Sequence, residues 1–140
     1  MYRKTPWPNA KTGRVKLIEI GMPAHNEGKT IGEVLRKILS VVELLKHKYR
    51  VKLIVVDDAS TDNTASIAKS YGAIVLSHRK NMGYGASIRT FLTYAAKDGA
   101  DVVVLMDADG QHPPEEMLKI LAPVLRGEAD VVIGSRFLKG

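Results

Sequence analysis

The chain has 140 residues, no cysteine and a formal net charge of +6. That length supports one domain able to bury roughly two thirds of its unfolded surface without a staple, and the missing cysteines exclude a disulfide framework, a thiolate zinc site and a cysteine nucleophile. No apolar run approaches the roughly 18 residues of a spanning helix and no apolar segment follows the basic N-terminus, so a soluble, non-exported, cytoplasmic domain is expected.

Positive charge is concentrated at the start, where Arg3, Lys4, Lys11, Arg14 and Lys16 all precede the first acid, Glu19. Residues 1–14 read as a solvated basic arm. The alternative role for such an arm is contact with an anionic membrane surface, worth about 1 kcal/mol per basic residue, which would make the protein peripheral at the cytoplasmic membrane face. Nucleic acid is not an expected partner, because no aromatic interleaving or recognised motif accompanies the charge.

The folded domain is expected over residues 15–140. Val15 to Met22 reads as a first strand that stops at Pro23, and the polar loop Ala24-His25-Asn26-Glu27-Gly28 leads to Thr30-Ile31-Gly32-Glu33, which has the spacing of a capping box. Ile31, Val34, Leu35, Ile38, Leu39, Val42 and Leu45 then recur at three and four, predicting a helix with one apolar stripe that ends near Lys46-His47-Lys48. Val51 to Val56 is a second apolar strand ending in Asp57 and Asp58; Ser60, Thr61 and Asp62 suit the cap of a short helix running to about Tyr71 and closed by Gly72. A short strand, Ala73 to Ser77, precedes the loop His78 to Gly85 and a helix from about Ala86 to Lys97.

The fourth strand is Val102-Val103-Val104-Leu105-Met106, running straight into Asp107-Ala108-Asp109-Gly110-Gln111-His112-Pro113-Pro114. A helix should follow, with Pro114, Glu115 and Glu116 in its first turn, Pro123 weakening it and Gly127 at its exit; Asp130 to Gly134 reads as a fifth strand leading to Ser135-Arg136. Strands apolar on both faces alternating with helices predict an α/β domain, a mostly parallel sheet with helices on both faces.

Three strands therefore send polar clusters to one rim of the sheet: Pro23 to Glu27, Asp57-Asp58, and Asp107 to Gln111. Each taken singly is an ordinary helix cap or loop acid, but together they form an acidic rim where parallel sheets take ligands. Asp107 and Asp109, two apart in extended backbone, project to one side, and two hard oxygen donors suit a divalent cation. Gly83-x-Gly85 is half of a dinucleotide fingerprint and lacks the third glycine; a Walker A sequence is absent, and His25, His47, His78 and His112 show no zinc spacing.

Pro23-Ala24-His25-Asn26-Glu27, Val55-Val56-Asp57-Asp58-Ala59-Ser60-Thr61-Asp62, Asp107 to Pro114 and Gly134-Ser135-Arg136-Phe137, in that order, resemble the signature segments of family 2 glycosyltransferases with the Rossmann-like GT-A fold. Asn81-x-Gly83-x-Gly85-Ala86 and Ile88-Arg89 make the resemblance nearest to polyprenyl-phosphate (dolichyl-phosphate) mannosyl- and glucosyltransferases. It covers about Lys16 to Gly140. The resemblance implies that Pro23, His25 and Glu27 contact the nucleotide and that Val56 and Asp58 complete the base and ribose pocket. It implies further that Asp107, Asp109 and Gln111 hold Mg2+ or Mn2+ against the diphosphate, that Ala108 lines the nucleotide sugar and that Arg136 faces phosphate. His25 stands where the family commonly has tyrosine, which leaves the base open.

The implied activity is metal-dependent transfer of a hexose from UDP-glucose or GDP-mannose to polyprenyl or dolichyl phosphate with inversion; no catalytic base is assigned, since a phosphate acceptor is already ionised. The chain stops just after Gly134-Ser135-Arg136-Phe137, so the acceptor half is expected to be absent. One alternative is a nucleotide-sugar-binding module inactive without that half. Another is a haloacid-dehalogenase-like phosphohydrolase, suggested by Asp107-Ala108-Asp109-Gly110, although Gln111 stands where that motif wants threonine.

Overall fold

The computed structural model describes residues 15–108 and 116–126. The elements are β1 (Leu17–Ala24), α1 (Ile31–Leu45), β2 (Arg50–Asp57), α2 (Thr64–Ser70), β3 (Ile74–Ser77), α3 (Tyr84–Asp98), β4 (Val102–Leu105) and α4 (Met117–Leu125). The four strands form one parallel sheet in the order β3-β2-β1-β4. Ile18, Ile20, Met22 and Ala24 of β1 face a core shared with α1, α2 and α4, while Ile54 and Val56 of β2 pack against Phe91 and Ala95 of α3 on the other face. Helices cover both faces of β1 and β2, as strands without polar alternation predict; β4 departs from this, with Val103 and Leu105 exposed on one face.

Pro23 does not end β1, which runs one residue further and pairs Pro23 with Val56. The reason is geometric. Gly21 accepts the Met106 N–H from the β4 side and Ala24 accepts the Asp58 N–H from the β2 side. Odd-numbered residues thus turn their backbone groups toward β4, whose pairing ends at Leu105 opposite Gly21. The missing N–H of Pro23 falls past the end of that ladder, where it costs no hydrogen bond.

The predicted capping box does not form. Thr30 is the N-cap of α1 but makes no side-chain cap; its hydroxyl lies 3.0 Å from the Ala108 carbonyl and 3.1 Å from the Glu27 carboxylate. Glu33 stays exposed, 3.7 Å from Lys37 and 3.9 Å from Arg36. The buried stripe of α1 runs through Val41, with Leu39 and Val42 at its partly buried border. Two other helices shift: α2 starts at Thr64 with Asn63 as N-cap, and α3 starts at Tyr84. Helix α4 continues through Pro123 and ends two residues later. The basic arm, the expected first turn at Pro114, the exit at Gly127 and the fifth strand at Asp130 to Gly134 lie outside the described residues.

One close approach sets the spacing of α3 against the sheet. A methyl group at Gly21 would overlap the ring of Phe91, which is fully buried. Gly21→Ala is therefore expected to destabilise the fold by about 1–3 kcal/mol through overpacking, and Phe91→Leu in the same chain should recover part of that loss. Urea unfolding of the single and double variants measures it; additive costs would remove the close approach as the reason for the glycine.

Candidate functional site

The ends of β1, β2 and β4 surround a cleft of about 430 Å3. It lies where the sheet changes its direction of growth: β1 leads through α1 to β2 on one side, whereas β3 returns through α3 to β4 on the other. Such a switch point leaves a crevice between diverging connections, which is where open parallel sheets take ligands.

The β1 wall is made by Pro23, Ala24, His25 and Glu27. Hydrogen bonds stitch this loop to the one after β2. Asn26, in left-handed backbone with φ 51°, donates its N–H to Ser60 Oγ at 2.9 Å and accepts the Thr61 N–H at 2.8 Å. The Glu27 N–H meets Thr64 Oγ1 at 2.9 Å, and its carbonyl receives the Thr30 and Ile31 N–H groups, closing the start of α1. Gly28 donates to Asp62 Oδ2 at 3.0 Å. The exposed His25 ring donates from Nδ1 to the Asp58 carbonyl at 2.7 Å, since a carbonyl only accepts. Its Nε2 then faces the amide nitrogens of Asn26 and Asn81, each at 3.4 Å.

The two acids at the end of β2 have different tasks. Asp57, buried, accepts the Ser60 N–H at 3.2 Å and folds the turn beneath it. Asp58 lines the cleft and its carboxylate reaches forward to the segment after β3, accepting the N–H groups of Met82 at 2.7 Å and Gly83 at 2.9 Å and facing His78 Nδ1 at 2.8 Å. Burial alone would raise the pKa of Asp58; the Met82 N–H, His78 and the Gly83 N–H outweigh it and hold the carboxyl below its ordinary value. Ala59, immediately after, has φ 58°, a strained conformation for alanine held in place by these flanking bonds.

Opposite, Tyr84 and Ser87 of α3 face Asp107 and Ala108 beyond β4. Gly83, with φ 96°, is the N-cap of α3, and its carbonyl receives the Ser87 N–H and hydroxyl, each at 3.1 Å. The Tyr84 hydroxyl donates to Asp107 Oδ1 at 3.2 Å. A cleft lined by Glu27, Asp58 and Asp107 beside the His25 ring suits a ligand that brings a cation and a heterocycle.

Residues 19–140 match the sequence profile of glycosyl transferase family 2. The chain belongs to this family. It is 35% identical over 138 aligned positions to UDP-N-acetylglucosamine–dolichyl-phosphate N-acetylglucosaminyltransferase of Methanococcus voltae, covering 86% of this chain and 52% of that protein. Dolichol-phosphate mannosyltransferase of Pyrococcus furiosus is 31% identical over 127 positions, covering 88% of this chain and 34% of the relative. Glucosyl-3-phosphoglycerate synthase from Mycobacterium tuberculosis, in a crystal structure with Mn2+, UDP and glucosyl-3-phosphoglycerate, superposes with a TM-score of 0.64 at 31% identity, covering 85% of this chain and 42% of that one. This chain thus spans about half the length of the first relative and less of the other two. The fold is the α/β GT-A type, and the phosphohydrolase alternative is set aside by the family match.

Against this family frame, Pro23, His25, Glu27, Asp58, Asp107 and Ala108 meet around one cleft. Val56 does not join them: its side chain is fully buried against Phe91 and Ala95 on the α3 face of the sheet. Asp109, Gln111, His112 and Arg136 lie outside the described residues. Among the described residues no group of three His, Cys, Asp or Glu is arranged to hold a metal ion. Sequence reading missed Tyr84 and Ser87, which line the cleft, and His78, which stands behind Asp58; for the first two the available signal was Gly83, which caps α3 just before them.

Proposed function

We propose that residues 15–140 form the donor-binding domain of a family 2 glycosyltransferase that takes a hexose from a UDP-sugar, aided by a divalent cation, and transfers it with inversion to a phosphate-bearing acceptor of the polyprenyl or dolichyl phosphate class. The observation that carries this reading is the cleft itself, which sets Asp58 and Asp107 on opposite sides of one crevice at the switch point of the sheet. UDP is preferred to GDP because the M. tuberculosis structure holds UDP with Mn2+ and the M. voltae relative is named for a UDP-sugar. The acceptor class follows from the two relatives named for dolichyl phosphate.

In this reading the nucleotide lies along Pro23, His25, Glu27 and Asp58, and Ala108 borders the sugar. Asp107 offers a hard oxygen donor at the cleft, which fits Mg2+ or Mn2+; with Asp109 and Gln111 it would hold the ion. When bound, the ion supplies positive charge where the departing diphosphate becomes negative. Arg136, by its place in the family signature, would supply positive charge for a phosphate. An ionised acceptor phosphate attacks C1 from the face opposite the leaving group, so the chain needs no general base there. No helix among the described residues is long and apolar enough to cross a membrane; the basic residues within 1–14 would add attraction to an anionic bilayer surface that carries the acceptor.

Calorimetric titration of UDP, GDP, UDP-glucose and GDP-mannose, with and without Mn2+, tests the donor site. Binding of the uridine ligands is expected to tighten at least about tenfold with Mn2+; a preference for GDP corrects the base, and no binding by the folded protein overturns the reading. Sugar transfer to polyprenyl phosphate above spontaneous hydrolysis then separates a transferase from a binding module.

A further inference from the structure

His78 follows β3 and takes no part in the cleft lining, yet its ring joins two elements that shape it. Nδ1 lies 2.8 Å from Asp58 Oδ1, and Nε2 lies 2.8 Å from Thr90 Oγ1 on α3. Thr90 in turn reaches the Ala86 carbonyl at 3.0 Å. Both partners are well shielded, with 10% of the His78 side chain and 6% of the Asp58 side chain exposed.

A carboxylate offers about four acceptor sites. On Asp58 the Oδ1 atom faces His78 and the Met82 N–H, and Oδ2 takes the Gly83 N–H. Among the described residues Oδ1 is thus filled by the segment after β3, which leaves an acceptor site on Oδ2 of a residue that lines the cleft. The same segment caps α3 through Gly83 and so places Tyr84, whose hydroxyl reaches Asp107 at the other end of the cleft. One chain of bonds links the two ends.

We propose that His78 is a positioning residue for the donor nucleotide: by occupying Oδ1 it aims Oδ2 of Asp58 at an N–H or O–H of a nucleoside diphosphate, and it ties that aim to the placement of Tyr84 against Asp107. This rests on the donor-site reading above and adds to it a residue and a coupling.

Two amide substitutions separate this role from mere packing. In His78→Asn the amide nitrogen reaches the place of Nδ1 and keeps the bond to Asp58; in His78→Gln the amide reaches the place of Nε2, keeps Thr90 and loses Asp58. UDP is titrated calorimetrically in the presence of Mn2+ on the intact protein, alongside unfolding midpoints and hydrogen exchange of the Met82 and Gly83 amides. His78→Gln is expected to weaken UDP at least about tenfold, the lower range for loss of a supporting bond behind a ligand contact, and to speed exchange at Met82 and Gly83 while β1 amides stay protected. His78→Asn should remain within about threefold of wild type. Equal affinities in the two variants, whether both normal or both weak, overturn the proposal, because packing alone does not distinguish the two nitrogens. If the wild type binds no nucleotide, the donor-site reading fails separately, and unchanged exchange at Met82 and Gly83 in His78→Gln still overturns the anchoring.

Discussion

Replacing Asp107 with asparagine is expected to lower sugar transfer by at least about a hundredfold with little change in the unfolding midpoint. The side chain follows β4, half-buried at the cleft, and receives the Tyr84 hydroxyl on Oδ1 at 3.2 Å. Asparagine has the same shape and keeps a carbonyl oxygen for Tyr84, so the change removes charge more than packing. In the proposed reaction that charge holds the cation against a diphosphate whose negative charge grows as the C1–O bond breaks. Loss of one preorganised electrostatic contact of this kind costs roughly 100- to 1000-fold in rate, about 2.7–4 kcal/mol. The measurement is UDP release and sugar transfer over a range of Mn2+ concentrations, with donor affinity measured in parallel. Wild-type rates at every Mn2+ concentration would remove Asp107 from the charge-bearing role; a loss at low Mn2+ that higher Mn2+ rescues would assign it to holding the ion alone.

The alternation of strand and helix was legible because β1 and β2 are buried along most of their length, and such strands show as largely apolar runs, interrupted here by Glu19 and Lys52. The rim was legible for a related reason: Asp57 ends β2, Asp58 follows it and Asp107 lies two residues past β4, so strand ends locate them. What could not be read were partners distant in sequence. Thr30 has the spacing of a capping residue, but its hydroxyl finds the Ala108 carbonyl, 78 positions away. Asp58 is held by Met82 and Gly83, 24 and 25 positions on, so its carboxylate serves the loop as well as the cleft. Val56 follows the family pattern in order, yet the strand period of two turns its side chain to the α3 face, so only its backbone is near the rim. His78 carries no motif spacing; its importance comes from lying between Asp58 and Thr90. Local periodicity reports which face a residue occupies, whereas site chemistry depends on which loops the topology brings together.

Glu19 is the sharpest case of a group hidden inside an apolar run, and it yields the second large effect. It sits in the middle of β1 with its side chain fully buried; among the described residues its carboxylate finds no donor, and only in its acid form can it hydrogen-bond, to Asp98. Lys52 lies opposite it in the β1–β2 register, but the Lys52 ammonium is committed to Asp98 at 2.7 Å. Burial first, then the neighbouring Asp98, push the Glu19 carboxyl up to about 7 from 4.5, with Lys52 acting in the opposite sense. Between those two values the native chain binds more protons than the unfolded chain, so stability falls as pH rises. The contribution is fully present below 4.5 and lost above 7, a total of about 3 kcal/mol at 1.36 kcal/mol per pKa unit. Glu19→Gln is neutral throughout, so the variant should match wild type near pH 5 and exceed it by about 2–3 kcal/mol at pH 8. Asp58, whose pKa is lowered, loses its contribution only as pH falls toward the acid range and does not enter this window. Urea unfolding of both proteins from pH 5 to pH 8 gives the difference directly, with the histidines common to both cancelling. A difference that stays constant across that range would mean Glu19 is ionised in the folded chain at pH 5, and the buried carboxyl would then have to be stabilised by the Lys52–Asp98 pair rather than kept neutral by desolvation.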